Sequence, residues 1–149
     1  MFVWRLASGR YPPLAGDGAR LVGGRWNSPG CPLIYASESI ALCLAECLVH
    51  VTGTLPGNYM AFKIEFPDSE VEVLNTKLLN RSWKHNPVHT RAVGDKWLRE
   101  LRSLALIVPS VVLPESRNIL LNPQHPHAIQ IRLISQQPFS FDPWLRPGP

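Results

Sequence analysis

The sequence predicts an α+β fold with a mainly antiparallel sheet and few helices, and three observations carry that expectation. Fifteen prolines divide the 149 residues into short pieces. Proline lacks the N–H that a helix interior needs, so such a chain favours strands and loops. The apolar runs are short or alternating, as strands require. No strand–helix–strand repeat is visible, which argues against a Rossmann-type sheet.

Taken in order, Phe2 to Leu6 reads as a short strand. Residues 7–30 are rich in Gly, Pro and Asp and read as a long loop, a feature that is usually functional in a compact domain. Leu33 to Ala36 reads as a strand ending at Ser37. The clearest helix spans about Ser39 to Val51, with Ser37 or Ser39 as its cap and Gly53 after its end. Met60 to Phe66 and Val71 to Leu74 read as strands. Residues 75–90 form a polar connection containing Trp83, followed by a short helix over about Gly94 to Arg102. Leu104 to Val108 reads as a buried strand stopped by Pro109. Residues 118–126 read as a polar loop. Ile129 to Ile134 alternates as a strand does, and Phe139 to Phe141 is a candidate last strand. Internal repeats are absent.

The length suits a single domain, residues 1–149, able to bury roughly 70% of its unfolded surface without a staple. Apolar residues make up 45% and charged residues 17%, a globular balance. Cys31, Cys43 and Cys47 are odd in number and form no Cys-x-x-Cys pair, which fits a reducing compartment. The segment MFVWRLASGR lacks the layout of a signal peptide. No run of 18 apolar residues exists, so no membrane span is expected. A cytoplasmic location follows as an expectation.

The net charge is +4. Arg5, Arg10, Arg20 and Arg25 fall in the first 25 residues. The arginine fork matches phosphate oxygens, so one or two of these could hold a phosphate-bearing ligand. A solvated basic surface explains them equally, and charge alone leaves nucleic acid open.

Glu46 is the one charged residue in the apolar helix run 40–49. A helix apolar on nearly every face is expected to be buried. Its lone carboxylate should then be ion-paired or face a cavity. Carboxylates in such settings are frequent catalytic groups. Gly23-Gly24-Arg25-Trp26-Asn27 offers close backbone approach and donors beside a Trp face, though a tight turn accounts for it as well. Standard phosphate-loop patterns are absent. Tyr35 is either a core tyrosine or a platform for a planar ring. Ser110 after Pro109 is either a strand-end cap or a site residue, and no serine-hydrolase triad spacing accompanies it. His85, His89, His125 and His127 lack a metal-ligand context, and no metal is expected.

Several of these pieces recur, in this order, in a known family: Arg5, the 23–27 segment, Pro32-Leu33-Ile34-Tyr35-Ala36, Glu46, Gly94-Asp95-Lys96-Trp97, Val108-Pro109-Ser110, Asn118, Asn122-Pro123-Gln124-His125-Pro126 and Phe139-Ser140-Phe141-Asp142. Over nearly its whole length the chain resembles the RES domain, named for an Arg, a Glu and a Ser, matched here by Arg25, Glu46 and Ser110. The family often has an Arg soon after the closing Phe-Asp; here Pro143-Trp144-Leu145 intervenes before Arg146.

The resemblance implies the toxin of a toxin–antitoxin pair, partnered by an antitoxin with an Xre-type helix-turn-helix domain, DNA being reached only through that antitoxin. It implies an ADP-ribosyltransferase-like fold, a split and mostly antiparallel sheet around an NAD⁺ cleft. The implied activity is cleavage of the nicotinamide–ribose bond, with water, phosphate or a protein as acceptor and no cofactor beyond NAD⁺ as substrate. In that scheme Arg25, Tyr35 and Glu46 are catalytic, and Arg5, Arg25, Asn27, Tyr35, Ser110 and Asn122 bind the dinucleotide. Two readings from other classes stand beside it: an RNA-directed toxin such as an endoribonuclease, and a non-catalytic binding module in which Arg25 and Glu46 only pair.

Overall fold

The structure is a computed structural model that describes residues 1–145; Arg146 lies outside the described residues. The strands are β1 (Phe2–Ser8), β2 (Ile34–Ser37), β3 (Tyr59–Glu65), β4 (Val71–Val73), β5 (Ala105–Pro109), β6 (Arg117–Leu121) and β7 (Arg132–Phe139). The α-helices are α1 (Asp17–Val22), α2 (Ile40–Leu48) and α3 (Pro87–Glu100). One sheet forms in the order β4-β5-β6-β2-β1-β3-β7. Only β4 and β5 pair in parallel; the other ladders are antiparallel. The α+β class with a mainly antiparallel sheet therefore holds.

The sheet is split. β1 and β2 meet at a single pair, Trp4 with Ser37, whereas β1 runs beside β3 for its whole length. Beyond that pair the two strands are not paired, and a cleft lies between them.

β5 explains why Leu104 to Val108 is apolar without interruption. Ala105 and Ile107 point into one core with Ile34, Phe62 and Ile119. Leu106 and Val108 point into the other with Trp26, Trp97 and Leu120. A strand buried on both faces has no polar alternate positions.

Four sequence expectations need correction. The 7–30 loop contains α1, a six-residue helix. The 118–126 loop is in fact β6 for its first part, a central strand whose Ile119, Leu120 and Leu121 are fully buried. The helix placed at Gly94–Arg102 begins seven residues earlier at Pro87. There the Asn86 side chain accepts from His89 N–H at 3.1 Å, and proline suits a first turn that lacks intrahelical donors to lose. The last two candidate strands are replaced by a 3₁₀ turn at Ala128–Gln130 and the single strand β7.

α2 also differs. It is shorter than expected and is capped by Ser39, whose hydroxyl accepts from Leu42 N–H at 3.1 Å. It is not buried all round: within it only Leu42 and Cys43 are. One face packs on β1 and β2, and other residues line the cleft. Among the described residues no helix is long and apolar enough to cross a membrane.

Candidate active site

A cleft of about 1070 Å³ runs along the split between β1 and β2, at the upper end of the size usual for ligand sites. Arg5, Arg25, Tyr35 and Glu46 all line it, as do Arg91 and Asn118. A smaller cavity of about 530 Å³ lies beside Met1, Asp68 and Arg132. Its charges are already matched, Met1 N with Asp68 at 2.5 Å and Arg132 with Glu65 at 2.7 Å.

Glu46 projects from α2 into the larger cleft. Its Oε1 accepts from Ser110 Oγ at 2.7 Å and from Asn118 Nδ2 at 2.7 Å. No cation pairs with it among the described residues, so the ion-pair reading of Glu46 is not what the structure shows. Two donors on one oxygen fix the carboxylate and leave Oε2 for a ligand. The donors are themselves fixed. Ser110 Oγ accepts from Leu113 N–H at 3.0 Å, and Asn118 Oδ1 accepts from Ser37 Oγ at 2.7 Å. Register supplies this set, since Ser37 and Asn118 are directly paired across β2 and β6.

Arg5 reaches across the split. Its Nη1 donates to the Tyr35 carbonyl at 2.9 Å, an acceptor just past the single β1–β2 pair. Its Nε is buried with no partner. Burial lowers its pKa below the usual guanidinium range, partly offset by Cys43, Cys47 and Tyr59. A cation so desolvated gains from an anion placed in the cleft.

Tyr35 carries its ring in the cleft wall while its hydroxyl is tied down. The hydroxyl donates to Asn27 Oδ1 at 2.8 Å and accepts from Trp26 N–H at 2.9 Å. Burial pushes the phenol up to about 12, against the pull of the Trp26 N–H and Arg91. The ring is thus a fixed neutral surface.

Arg25 also lines the cleft, its loop held by α3. Thr90 Oγ1 donates to the Arg25 carbonyl at 2.6 Å, and Arg91 Nε donates to the Gly24 carbonyl at 2.8 Å. The Asp95 carboxylate accepts from Ser28 N–H at 2.9 Å and Ser28 Oγ at 2.6 Å. A side chain at Gly94 would strike the Trp26 carbonyl oxygen. The Arg25 guanidinium is held in turn, its Nη1 donating to the Lys84 carbonyl at 3.0 Å.

The other three candidates do not line the cleft. Asn27 is fully buried, and its Nδ2 donates to the Ala19 and Cys31 carbonyls at 2.8 and 2.9 Å. Asn122 is buried, donating to the Leu98 carbonyl at 3.2 Å and accepting from Gln124 N–H at 3.0 Å. Ser110 sits behind Glu46. Sequence reasoning missed Asn118 and Arg91 as site residues. Asn118 was obscured because β6 was read as a loop, and Arg91 because its helix was begun too late.

Three residues also gather away from the cleft. The ligand atoms of Glu70, His125 and His127 lie within 4.8 Å of one another. His125 Nδ1 accepts from His127 N–H at 3.1 Å, which leaves Nε2 to donate to the Leu101 carbonyl at 3.1 Å. Both ring nitrogens are engaged, so the group is a hydrogen-bonded corner that offers a cation only Glu70 and His127.

Comparison with known proteins identifies the family and the fold. The family model described as the RES domain matches residues 2–142. "Toxin Res" of Yersinia enterocolitica is 38% identical over 154 residues, covering 98% of this chain and 100% of its own length. "Prs ADP-ribosylating toxin" of a Sphingobium species is 36% identical over 150 residues, covering 94% and 93%. A chain of the M. tuberculosis MbcT–MbcA toxin–antitoxin complex superposes with a TM-score of 0.74 at 20% identity, over 93% of this chain and 84% of that one. At that identity the likeness is one of fold.

Proposed function

The chain belongs to the RES domain family, and from that premise we propose that it is a toxin that cleaves the nicotinamide–ribose bond of NAD⁺. The observation that carries this reading is the pairing, in one cleft, of a carboxylate fixed by two donors with a desolvated arginine lacking a full set of acceptors. Such a cleft suits a ligand with an anionic part and a part that becomes cationic.

Arg5 and Arg25 hold the diphosphate through charge-assisted bonds, each contributing about 1.5–3 kcal/mol. The Tyr35 ring frames the nicotinamide. The C–N bond electrons leave with nicotinamide as a neutral base, and the ribose becomes oxocarbenium-like. Glu46 stabilises that charge as it develops, or accepts from a ribose hydroxyl. An acceptor oxygen then bonds to the anomeric carbon and releases its proton. Ser110 and Asn118 keep Glu46 oriented. The substrate is NAD⁺, with no further cofactor and no metal in the scheme.

An Xre-type helix-turn-helix antitoxin is the proposed partner, DNA being contacted only through it. The fold neighbour in a toxin–antitoxin complex supports a protein partner. The name of the Sphingobium relative favours a second reading, transfer of ADP-ribose to a protein.

The deciding assay follows NAD⁺ and free nicotinamide with purified protein, with and without phosphate. Glu46→Gln keeps the fold, checked by its urea midpoint, and lowers turnover about a hundredfold or more. Native turnover in that variant removes Glu46 from the mechanism. NAD⁺ consumption that requires an added protein, which gains mass, selects the transferase. RNA cleavage without NAD⁺ loss overturns both.

A further inference from the structure

One row of residues crosses the split in the sheet. Trp4 pairs with Ser37, Ser37 with Asn118, and Asn118 with Val108. Two members of this row also hold the carboxylate of the cleft. Ser37 Oγ donates to Asn118 Oδ1 at 2.7 Å, and Asn118 Nδ2 donates to Glu46 Oε1 at 2.7 Å. The chain closes the circuit from the other side: β2 ends at Ser37, Ser39 caps α2, and α2 carries Glu46. Ser37, α2, Glu46 and Asn118 therefore form a ring, part covalent and part hydrogen-bonded, that begins and ends at Ser37. The residue is 4% exposed, and it stands where β1 and β2 meet.

We propose that Ser37 is a positioning residue for turnover, acting on Glu46 through Asn118, a role that rests on the NAD⁺ reading of the cleft. The terminal torsion of an Asn side chain lies in a broad well, so a bond at one end leaves the amide plane free to rock. Oδ1 carries lone pairs and no proton, so the Ser37 hydroxyl is the donor, and it takes the end of the amide opposite Glu46. A planar group held at both ends does not turn. The same bond polarises the amide and strengthens the donor that faces Glu46. Among the described residues Asn118 Oδ1 has no other donor. Without the hydroxyl the amide turns toward water in the cleft, which Asn118 lines, and Glu46 keeps Ser110 alone. The hydrogen bonds that place Arg5, Arg25 and Tyr35 do not involve Ser37. Its loss therefore acts on turnover and not on binding of the dinucleotide.

The test measures nicotinamide release by the full chain. In Ser37→Ala, kcat is expected to fall about tenfold, as one oriented hydrogen bond is lost. KM for NAD⁺ and the rise in Tm that NAD⁺ produces are expected to stay at wild-type values. Ser37→Thr keeps the hydroxyl and is expected to restore kcat. In an Asn118→Ala background, Ser37→Ala is expected to cost nothing further, because the two residues act as one unit. Native kcat in Ser37→Ala overturns the proposal. So does a loss shared equally by kcat and the NAD⁺ shift, which marks a general structural role, and so does an undiminished loss in the Asn118→Ala background. Should Ser37→Ala fail to fold, Ser37→Cys, which keeps only a weak donor, takes its place in each comparison. A second readout needs no substrate. The Asn118 side-chain amide signals in a ¹⁵N–¹H NMR spectrum, assigned by their absence in Asn118→Ala, are expected to move and to exchange faster with solvent in Ser37→Ala but not in Ser37→Thr. Unmoved signals in Ser37→Ala overturn the link to Asn118. A wild type that releases no nicotinamide defeats the NAD⁺ reading and leaves these signals to decide whether Ser37 holds Asn118.

Discussion

A guanidinium taken out of water needs acceptors, and Arg5 has one, the Tyr35 carbonyl, while its Nε has none. Two consequences follow for Arg5→Met. The variant strands the Tyr35 carbonyl, which costs about 1–3 kcal/mol. It also removes an incompletely partnered buried charge, whose replacement by an apolar side chain is often neutral or favourable. These effects offset, so the thermal midpoint of the ligand-free protein is expected to move little. Ligand stabilisation behaves differently. NAD⁺ at about a hundred times its Kd stabilises wild type by about 2.7 kcal/mol, and that gain is expected to shrink sharply in the variant. Differential scanning fluorimetry with and without NAD⁺ reads both. A variant that melts far lower yet keeps the full NAD⁺ shift would assign Arg5 to the fold alone.

At the scale of elements, α3 is the strut of the site. Thr90, Arg91 and Asp95 bond to the 24–28 loop, and Gly94 lets the Trp26 carbonyl lie against the helix. Gly94→Ala is therefore expected to destabilise despite the better helix propensity of alanine. Propensity favours Ala by up to about 1 kcal/mol, but overpacking at a rigid backbone contact costs about 1–3 kcal/mol or more. Urea unfolding checks the sign; a stabilised variant would mean that the loop yields freely. The same helix shows where sequence reasoning stops. Glu46 was legible because it stands alone in an apolar run, and β5 because burial on both faces leaves an unbroken apolar stretch. β6 was not legible, because Asn118 and Asn122 bracket its three buried residues and read as turn chemistry. The Asn118–Glu46 bond depends on β2 and β6 being neighbours in the sheet, a long-range pairing that no local pattern encodes. Asn27 read as a ligand group, whereas its amide is used up by the Ala19 and Cys31 carbonyls and by the Tyr35 hydroxyl. The edge strand β7 carries its own protection: a register shift opposite Lys63 and Ile64, and Pro138, which offers no edge donor.

The whole molecule keeps neutral acids buried along the split, and that sets its response to alkali. Burial pushes Cys43 and Cys47 each up to about 11 from 9.0, and Tyr35 up to about 12 from 10.0. In the unfolded chain these groups ionise at their ordinary values, so above pH 9 the unfolded state loses protons that the folded state keeps. Stability from these groups is complete below pH 9 and falls as pH rises through the folded values. Each two-unit difference is about 2.7 kcal/mol when fully expressed, a large share of the marginal stability of a small domain. Urea midpoints measured from pH 7 upward are expected to be level to about pH 9 with respect to these groups and then to drop steeply. Because the two thiols begin the decline and the phenol continues it, Cys43→Ala/Cys47→Ala should flatten the first part of the curve and leave the second. A wild-type midpoint that stays level to pH 11 would mean that both thiols ionise in the folded protein, which requires water to reach α2 through the cleft.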